Sequence, residues 1–411
     1  MAIVHVSQKE LCRLSGIRPN QVEPTLTALG IPLEAEEGDD LSLEITPNRP
    51  DWLSVEGVAR ACRDYRTGKP KAYSARPSSI SWTLHPSVLP WRPVLGSAVV
   101  RRIPPSPQLL TSLIQLQEKL HDTLGRNRRK MAIGIHDLST VRSPFTYQAV
   151  PRDGIRFVPL GKLTPMTPGQ ILMEHEKGMA YAHLVGERAP LITDQNGDVL
   201  SMPPVINGER TRLTERTTDM LIDCTGVSEP VVGAAVNIIC ACLADRGGQV
   251  EQVSINGKPY PLFVGAKWSL SKVKAAAQQL LGIPLSAPDL SRHLSRMGHA
   301  VSGATVRSPA WRTDLLHEVD LVEDVAASIG MNNLPNALPS FSSTGSLLSD
   351  CTALHESLLG LGYFEVMGWI LVNQTILSRA QIPPEAGLQV SNPLTEEFTT
   401  LRPCLYPNFL D

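Results

Sequence analysis

Cysteine is scarce in this chain, and no two cysteines stand at the spacing of a zinc-ligand pair. The 411 residues include seven cysteines, which are odd in number and scattered along the sequence: Cys12, Cys62, Cys224, Cys240, Cys242, Cys351 and Cys404. Scattered thiols without a C-x-x-C pair favour reduced cysteines over a disulfide framework or a structural zinc site.

Long apolar runs and an excess of charge of one sign are also missing. No run approaches the roughly 18 apolar residues of a membrane span, and the N-terminal residues lack the basic and apolar pattern of a signal peptide. With 38 basic and 40 acidic residues the net charge is −2, so any contact with nucleic acid would have to use local patches. We therefore expect a cytoplasmic protein with no membrane partner.

Several common catalytic signatures are absent. The sequence has no G-x-x-x-x-G-K-[ST], no G-x-S-x-G and no H-E-x-x-H. These absences remove the basis for a P-loop nucleotide site, a serine hydrolase of the nucleophile-elbow type and a zinc protease. Any catalysis has to use other groups.

Length and periodicity predict a multidomain α+β protein. A chain of this length corresponds to about three domains of roughly 150 residues each. Helices are predicted at 7–16, 20–30, 54–61, 105–125, 269–281 and 288–297, with a further acidic helix reaching residue 327. Strands are predicted at 41–46, 131–137 and 221–226 and within 299–307. Residues 70–95 mix Pro, Ser and Trp without a period, which is typical of a boundary region. The predicted domains span 1–90, 91–264, 265–338 and 339–411.

Asp223 and Thr225 form the first candidate site. They alternate with apolar residues in the run LIDCTG (221–226), so in a strand their carboxylate and hydroxyl point to the same face. Such a pair could orient a water or an amino-acid substrate, or it could cap the following turn. The pattern leaves both alternatives open.

Other polar residues carry weaker signals. Ser201 and Asn207 flank a double proline, which suits a rigid pocket wall but also an ordinary connection. The isolated His136 and His183 lie in apolar contexts and are interpreted as core residues rather than catalytic ones. The basic run at 126–130 could meet phosphates or could be a solvated surface.

An acidic run at 314–324 concentrates negative charge more than any other segment. On a helix Asp320, Glu323 and Asp324 stand at i, i+3 and i+4 and share one face. Their repulsion could be relieved by a hard cation such as Mg²⁺, by a basic partner, or by solvation at a helix N-terminus. All three alternatives remain open on the pattern alone.

Taken together, several segments resemble the phenylalanyl-tRNA synthetase beta subunit, in its archaeal and eukaryotic branch. The segments that carry the resemblance are EITPNRPDWLSVEGVAR (44–60), AIGIHD (132–137), IRFVPLG (155–161), PPVIN (203–207), the run 312–326 and VSNPL (390–394). They occur in order along essentially the whole chain.

The resemblance implies a function that composition does not reveal. It implies a heterotetramer of two alpha and two beta subunits that attaches phenylalanine to tRNA(Phe) using ATP, with the synthetic active site in the alpha subunit. The beta subunit is then expected to contact RNA and to hydrolyse tyrosyl-tRNA(Phe) in an editing domain, here 91–264. Residues 1–90 form an N-terminal domain, 265–338 a B5-like winged-helix module, and 339–411 an incomplete catalytic-like α/β domain of the class II synthetase type.

Site residues follow from the same resemblance. Asp223, Thr225 and Ser201 are expected to be the catalytic residues of editing, acting on a positioned water, while Leu191 and Asn207 bind the substrate. Magnesium ligands are expected at Asp314, Asp320, Glu323 and Asp324, with the metal serving assembly with the alpha subunit.

The C-terminal end carries a further expectation. Relatives continue beyond a segment like 401–410, so the chain is expected to lack the end of its last domain. Two other readings remain: a truncated or free-standing editing relative, and a non-catalytic protein that binds RNA or a partner.

Overall fold

The computed structural model of the chain describes residues 2–336 and 351–409. The chain divides into two compact units, residues 1–336 and 337–411. The boundary predicted at 338/339 lies outside the described residues. None of the helices in the described ranges is long and apolar enough to cross a bilayer.

The first unit mixes strands and helices along its whole length. Its strands are β1 Ala2–Ser7, β2 Leu33–Glu37, β3 Asp40–Ile45, β4 Arg76–Leu84, β5 Val94–Arg101, β6 Met131–Asp137, β7 Phe145–Pro151, β8 Arg188–Thr193, β9 Val199–Met202, β10 Ile206–Asn207, β11 Met220–Gly226, β12 Gln249–Ile255, β13 Lys258–Pro259, β14 Lys267–Ser269, β15 Ala300–Ser302 and β16 Thr305–Arg307. Its helices are α1 Gln8–Ser15, α2 Val22–Leu29, α3 Val55–Thr67, α4 Pro107–Asp122, α5 Pro168–Glu174, α6 Glu176–Tyr181, α7 Glu229–Asp245, α8 Leu270–Leu281, α9 Ala287–Arg296 and α10 Glu318–Ile329.

Helix ends follow local sequence signals. Ser106 caps α4, because its Oγ accepts a hydrogen bond from the Leu109 amide at 3.1 Å. Gly30 ends α2 in the left-handed region at φ 74°. The helices predicted at 7–16, 20–30 and 105–125 are confirmed, with small shifts at their ends. The helix predicted at 54–61 is wrong at its end, since α3 continues until Gly68 terminates it at φ 62°.

A ten-stranded sheet is the centre of the first unit. Its strand order is β10-β9-β8-β7-β4-β12-β5-β11-β6, with β13 added beside β12. Helix α7 is apolar nearly all round and packs on β5 and β11, as expected for a helix enclosed by a core. Alternate residues of β11, such as Ile222 and Cys224, face that core, while Asp223 and Thr225 point to the opposite face.

The boundary region predicted at 70–95 contains part of this sheet. Strand β4 pairs in parallel with β7 and with β12, so a division at 90/91 would separate it from its neighbours. Ile80 and Trp82 alternate towards the core, but the surrounding Pro and Ser residues hid that alternation in the sequence. The core itself is continuous across 90/91, because residues from β1, α1 and α3 pack in one cluster with residues from β11 and α7.

Residues 267–329 form a smaller element group around their own core. Helices α8, α9 and α10 enclose Val273, Leu290, Leu294 and Val325, and a three-stranded sheet in the order β14-β16-β15 lies beside them. The predicted sequence of helix, helix, strand pair and helix is confirmed.

The second unit has short elements and a small core. Its described elements are α11 Thr352–Gly360, β17 Leu371–Val372, α12 Gln374–Arg379 and β18 Thr400–Leu401. Helix α11 has no buried side chain. Many large apolar side chains of this unit are exposed, among them Phe364, Met367, Trp369 and Leu394.

Candidate functional site

A cavity of about 310 Å³ lies where the two end strands of the large sheet approach each other. On β10, Asn207 donates from Nδ2 to the Ile135 carbonyl of β6 at 3.5 Å. The cavity is lined by residues of β6, β9, β10 and β11, and its rim is formed by α4, α6 and Arg128. Three residues predicted for the site lie in its wall, namely Asp223, Ser201 and Asn207.

Asp223 is the acidic residue at the base of the cavity, and its carboxylate is paired with a buried histidine. The residue is 1% exposed, and its Oδ2 lies 3.1 Å from Nε2 of His136. The other ring nitrogen, Nδ1, lies 2.8 Å from the Thr211 hydroxyl. A buried chain of three polar side chains therefore fixes Asp223.

Gly134 makes this arrangement possible. It stands directly opposite Asp223 in the β6–β11 pairing. A Cβ atom at Gly134 would lie 2.1 Å from Asp223 Oδ2 and 2.8 Å from His136 Nε2, which is closer than non-bonded atoms tolerate. Any larger residue would have to displace the carboxylate or the imidazole.

Ser201 contributes a hydroxyl that is left unpaired within the described residues. The residue is 2% exposed and lines the cavity, and its Oγ has no hydrogen-bond partner in 2–336 or 351–409. An unpaired buried hydroxyl costs free energy unless a ligand or a water pairs with it. Ser201 thus borders the cavity and carries a buried hydroxyl whose hydrogen-bonding capacity the described residues do not use.

Thr225 and Leu191 do not lie in the cavity wall. Thr225 shares a strand face with Asp223, but Arg92 covers it by donating from Nη2 to the Thr225 carbonyl at 2.7 Å and from Nε to its hydroxyl at 3.4 Å. Leu191, on β8, is fully buried in an apolar cluster with Ile171 and Met202. The structure thus brings three of the five residues predicted for editing to one cavity.

Charged groups cluster at the rim. Arg128 donates from Nη1 to the carbonyls of Pro204 and Val205 and from Nη2 to Glu118 at 3.1 Å. The Glu118 carboxylate lies 3.6 Å from His121 and 3.7 Å from Lys177. The interaction with His121, with contributions from Arg128 and Lys177, outweighs burial and lowers the pKa of Glu118 to about 2.

Sequence reasoning missed three residues of the site. His136 was interpreted as a core residue; it is buried, but it contacts Asp223. Glu118 was not singled out in the sequence, and Arg128 belongs to the basic run at 126–130, for which a phosphate contact and a solvated surface were both left open. A usable signal exists for His136, since Gly134 and His136 stand two apart on a buried strand and share one face. No sequence signal indicated that β11 would pair with β6 and place Asp223 opposite Gly134.

The carboxylates of the acidic run do not surround a common space that could hold a cation. Arg312 donates from Nε and Nη2 to Asp314, at 2.9 and 2.7 Å, and from Nη1 to Asp324 at 2.8 Å. Asp324 also meets Nε2 of His299 at 2.7 Å. Burial alone would raise the pKa of Asp324, but Arg312 and His299 hold it well below its ordinary value.

The remaining two acidic residues have separate surroundings. Asp320 accepts hydrogen bonds from the amides of Leu316 and His317 at 2.6 and 2.7 Å at the start of α10, and Glu323 is exposed. Within residues 2–336 and 351–409, no three His, Cys, Asp or Glu side chains are grouped as metal ligands. The four predicted ligands therefore do not form a preformed Mg²⁺ site, because three of them are already paired with Arg312, His299 or backbone amides and the four share no common group of free oxygens.

Two family models match the chain. One describes a tRNA synthetase B5 domain and matches residues 273–331. The other describes the CLM domain of the phenylalanyl-tRNA synthetase beta chain and matches residues 334–411.

Relatives match over the full length of the chain. It is similar to the phenylalanine–tRNA ligase beta subunit of Methanospirillum hungatei, at 37% identity over 100% of this chain and 77% of that protein. The corresponding protein of Methanosarcina barkeri is 38% identical over 100% of this chain and 78% of its own length. A crystal structure of an N-terminal fragment of the phenylalanyl-tRNA synthetase beta subunit from Pyrococcus horikoshii matches with a TM-score of 0.73 and 31% identity, over 80% of this chain and 99% of the fragment.

Proposed function

This chain belongs to the family of phenylalanine–tRNA ligase beta subunits, components of an aminoacyl-tRNA synthetase, and from that membership we propose that its cavity hydrolyses tyrosyl-tRNA(Phe). The chain would at the same time support ATP-dependent attachment of phenylalanine to tRNA(Phe) by an alpha subunit. The observation that carries the editing proposal is the buried Asp223 carboxylate at the base of the cavity.

Tyrosine and phenylalanine differ by one hydroxyl, which explains why a second site is useful. A synthetic pocket shaped for the phenylalanine ring rejects the added hydroxyl poorly, whereas a site that hydrogen-bonds the hydroxyl rejects the analogue lacking it much more strongly. Asp223 offers a fixed acceptor to the phenol proton. Phenylalanine in the same cavity would leave the second oxygen of that carboxylate, the one not paired with His136, desolvated and without a donor. The volume of about 310 Å³ lies within the range of ~300–1,000 Å³ that is usual for small-molecule sites.

The proposed reaction is attack of a positioned water on the ester carbonyl carbon. The bond from that carbon to the ribose oxygen breaks, the ribose oxygen takes a proton, and tyrosine and free tRNA are released. We assign the Ser201 hydroxyl, which has no partner in the described part of the chain, to holding the water or the ester oxygen. We assign Asn207 to substrate contact. Thr225 and Leu191 would act by supporting β11 and β8 rather than by touching the substrate.

Hydrolysis of tyrosyl-tRNA(Phe) by the purified chain tests the editing proposal. We expect release of tyrosine, and we expect Asp223→Ala to lower kcat/KM roughly ten- to a hundredfold, the effect of losing a hydrogen bond to a charged group. The matched control is Asp153→Ala, because Asp153 is exposed and is not part of the cavity wall. Absence of hydrolysis both by the isolated chain and by its complex with an alpha subunit would refute editing.

We further propose that the chain assembles with an alpha subunit in an α₂β₂ heterotetramer and contacts tRNA(Phe). The exposed apolar side chains of residues 351–409 support a protein partner for this unit, because contiguous exposed apolar surface commonly marks an interface. ATP is assigned to the alpha subunit in this proposal. Because the acidic run does not fit a preformed Mg²⁺ site, no step is assigned to a metal in this chain.

Co-expression with an alpha subunit followed by size-exclusion chromatography tests assembly. We expect co-elution of the two chains, and we expect Phe364→Asp to weaken it because that side chain is almost fully exposed. Glu356→Lys, an exposed change on the same unit, controls for altered charge. Elution of a separate chain that still hydrolyses tyrosyl-tRNA(Phe) would favour a free-standing editing protein. That second candidate is supported by the location of every cavity-lining residue within the first unit.

A further inference from the structure

His136 is the buried titratable group that contacts the proposed site without lining its cavity. It is fully buried on β6, and its two ring nitrogens lie 3.1 Å from Asp223 Oδ2 and 2.8 Å from Thr211 Oγ1. A neutral imidazole carries one N–H and one acceptor nitrogen. The partner of each nitrogen therefore decides which state of Asp223 the ring supports.

The Thr211 hydroxyl is the partner of the other ring nitrogen and can donate to it or accept from it. This hydroxyl has a single proton and three acceptors within reach: His136 Nδ1 at 2.8 Å, the Gly208 carbonyl at 3.2 Å and the Leu200 carbonyl at 3.4 Å. At 2.8 Å either atom can be the donor, so the group at the other nitrogen decides: an ionised Asp223 only accepts hydrogen bonds, and Nε2 must carry a proton to pair with it. With Thr211 donating to Nδ1, the ring proton lies on Nε2 and is donated to Asp223.

The opposite direction has a clear chemical consequence. If Nδ1 alone carried the proton and donated to Thr211, Nε2 would be an acceptor, and Asp223 would have to be protonated to pair with it. A protonated Asp223 would donate its own proton in a hydrogen bond to His136. Its second oxygen would then be a weaker acceptor for a phenol.

We propose that His136 is a positioning residue that fixes Asp223 as a charged acceptor and thereby sets the preference of the cavity for tyrosyl over phenylalanyl esters. This inference rests on the proposed editing function. Thr211 orients the ring, His136 donates from Nε2 to Oδ2, and Gly134 leaves the space in which the two groups meet. The second oxygen of Asp223 remains for the phenol proton of the substrate.

The tautomer of His136 can be measured without any substrate. In the full chain with ¹⁵N-labelled histidine, we expect the His136 signal to report a proton on Nε2. The signal is assigned among the ten histidines by its loss in His136→Gln. A ring protonated at Nδ1 alone would overturn the inference, even if the chain hydrolysed no tyrosyl-tRNA(Phe) at all.

Kinetics separate positioning from a merely structural role. For His136→Leu we expect kcat/KM on tyrosyl-tRNA(Phe) to fall about tenfold or more, chiefly through KM, while the slow hydrolysis of phenylalanyl-tRNA(Phe) stays unchanged. His136→Gln keeps an amide N–H near the position of Nε2 and should restore most of the selectivity. The exposed His183 supplies the control His183→Leu.

Two kinetic outcomes would contradict the inference, and a third would contradict only the proposed function. Full activity of a folded His136→Leu variant shows that Asp223 needs no donor. Equal losses on both esters, without rescue by His136→Gln, show a packing role only. Absence of tyrosyl hydrolysis by the wild-type chain, together with the Nε2 tautomer, refutes the proposed function but leaves the positioning of Asp223 intact.

Discussion

Gly134 is the residue on which the placement of Asp223 depends most directly. The lack of a side chain at this position, and not a special backbone angle, is what the site requires. Because the strand pairing sets Gly134 opposite Asp223, a single methyl group would occupy the space where the carboxylate meets the imidazole.

We therefore expect Gly134→Ala to lower tyrosyl-tRNA(Phe) hydrolysis as strongly as Asp223→Ala does, with a destabilisation of about 1–3 kcal/mol from overpacking. Gly233→Ala is the matched control, since a Cβ there would approach only the Tyr260 hydroxyl, at 3.8 Å. Hydrolysis rates and urea unfolding of the two variants check this. Unchanged hydrolysis by Gly134→Ala would show that Asp223 can move without loss.

Asp64 on α3 is a second residue whose environment has a measurable consequence. Burial raises its pKa to about 6, although Arg63 lies 2.9 Å away. The folded state thus binds the proton more readily than the unfolded chain does. At pH 7 the charged carboxylate reduces stability, and this loss is relieved as the pH falls through 6 towards the unfolded value near 4.

We expect Asp64→Asn to be more stable than the wild type at pH 7, by an amount on the order of 2–3 kcal/mol, and the difference to shrink by pH 4. Denaturant unfolding at several pH values measures this directly. The same series on Asp153→Asn, at an exposed position, gives the background. A stability difference that is independent of pH would contradict the raised pKa.

Two acidic residues, one in helix α10 and one just before it, are paired with basic residues that lie outside the helix. Arg312, just before the helix, bridges Asp314 and Asp324, and His299 from outside the helix completes the buried group. Arg312 thus supplies the positive charge that the acidic run requires. Its pKa lies above the ordinary arginine value because, against the opposing effect of burial, Asp324 and Asp314 stabilise the charged form.

Removing one member of this buried group should be costly. We expect Asp324→Asn to destabilise the first unit by about 3–5 kcal/mol, because Arg312 would be left without one of its buried partners. Glu323→Gln, one residue away but exposed, should change stability by less than about 0.5 kcal/mol. Thermal unfolding of both variants, with and without Mg²⁺, is the measurement. Mg²⁺-dependent stability that Glu323→Gln abolishes would argue for a metal instead of Arg312.

At the scale of the whole molecule, the two units differ in how much apolar surface they bury. In the first unit, β11 is buried along its whole length and α7 along most of its length. In the described part of the second unit, α11 buries none of its side chains. Burial of apolar side chains is the main stabilising contribution to folding, so the local stabilities should differ.

Amide hydrogen exchange should reveal this difference. We expect the slowest exchange in β11 and α7 and the fastest among helical residues in α11. Addition of an alpha subunit should slow exchange in 351–409 and leave β11 unchanged. Protection of α11 equal to that of α7 in the isolated chain would contradict the comparison, and unchanged exchange on adding the alpha subunit would count against the proposed interface.

Much of the fold was predictable because local rules decide it. Ser106 with the leucine stripe that follows defined α4, Gly30 defined the end of α2, and the buried run at 131–137 defined β6. Alternation also placed Asp223 and Thr225 on one face of β11. Strand β4 escaped prediction because its pairing with β7 and β12 overrides a composition that favours a loop.

The sequence by itself determined the family, many of the elements and the strand that carries Asp223, since periodicity and caps act over a few residues. Only the tertiary structure decided what each face meets. Asp223 and Thr225 share a face, yet one borders the cavity and the other lies under Arg92. His136 reaches Asp223 across 87 positions of sequence. Such contacts depend on strand order and on packing between distant segments, which no local pattern specifies.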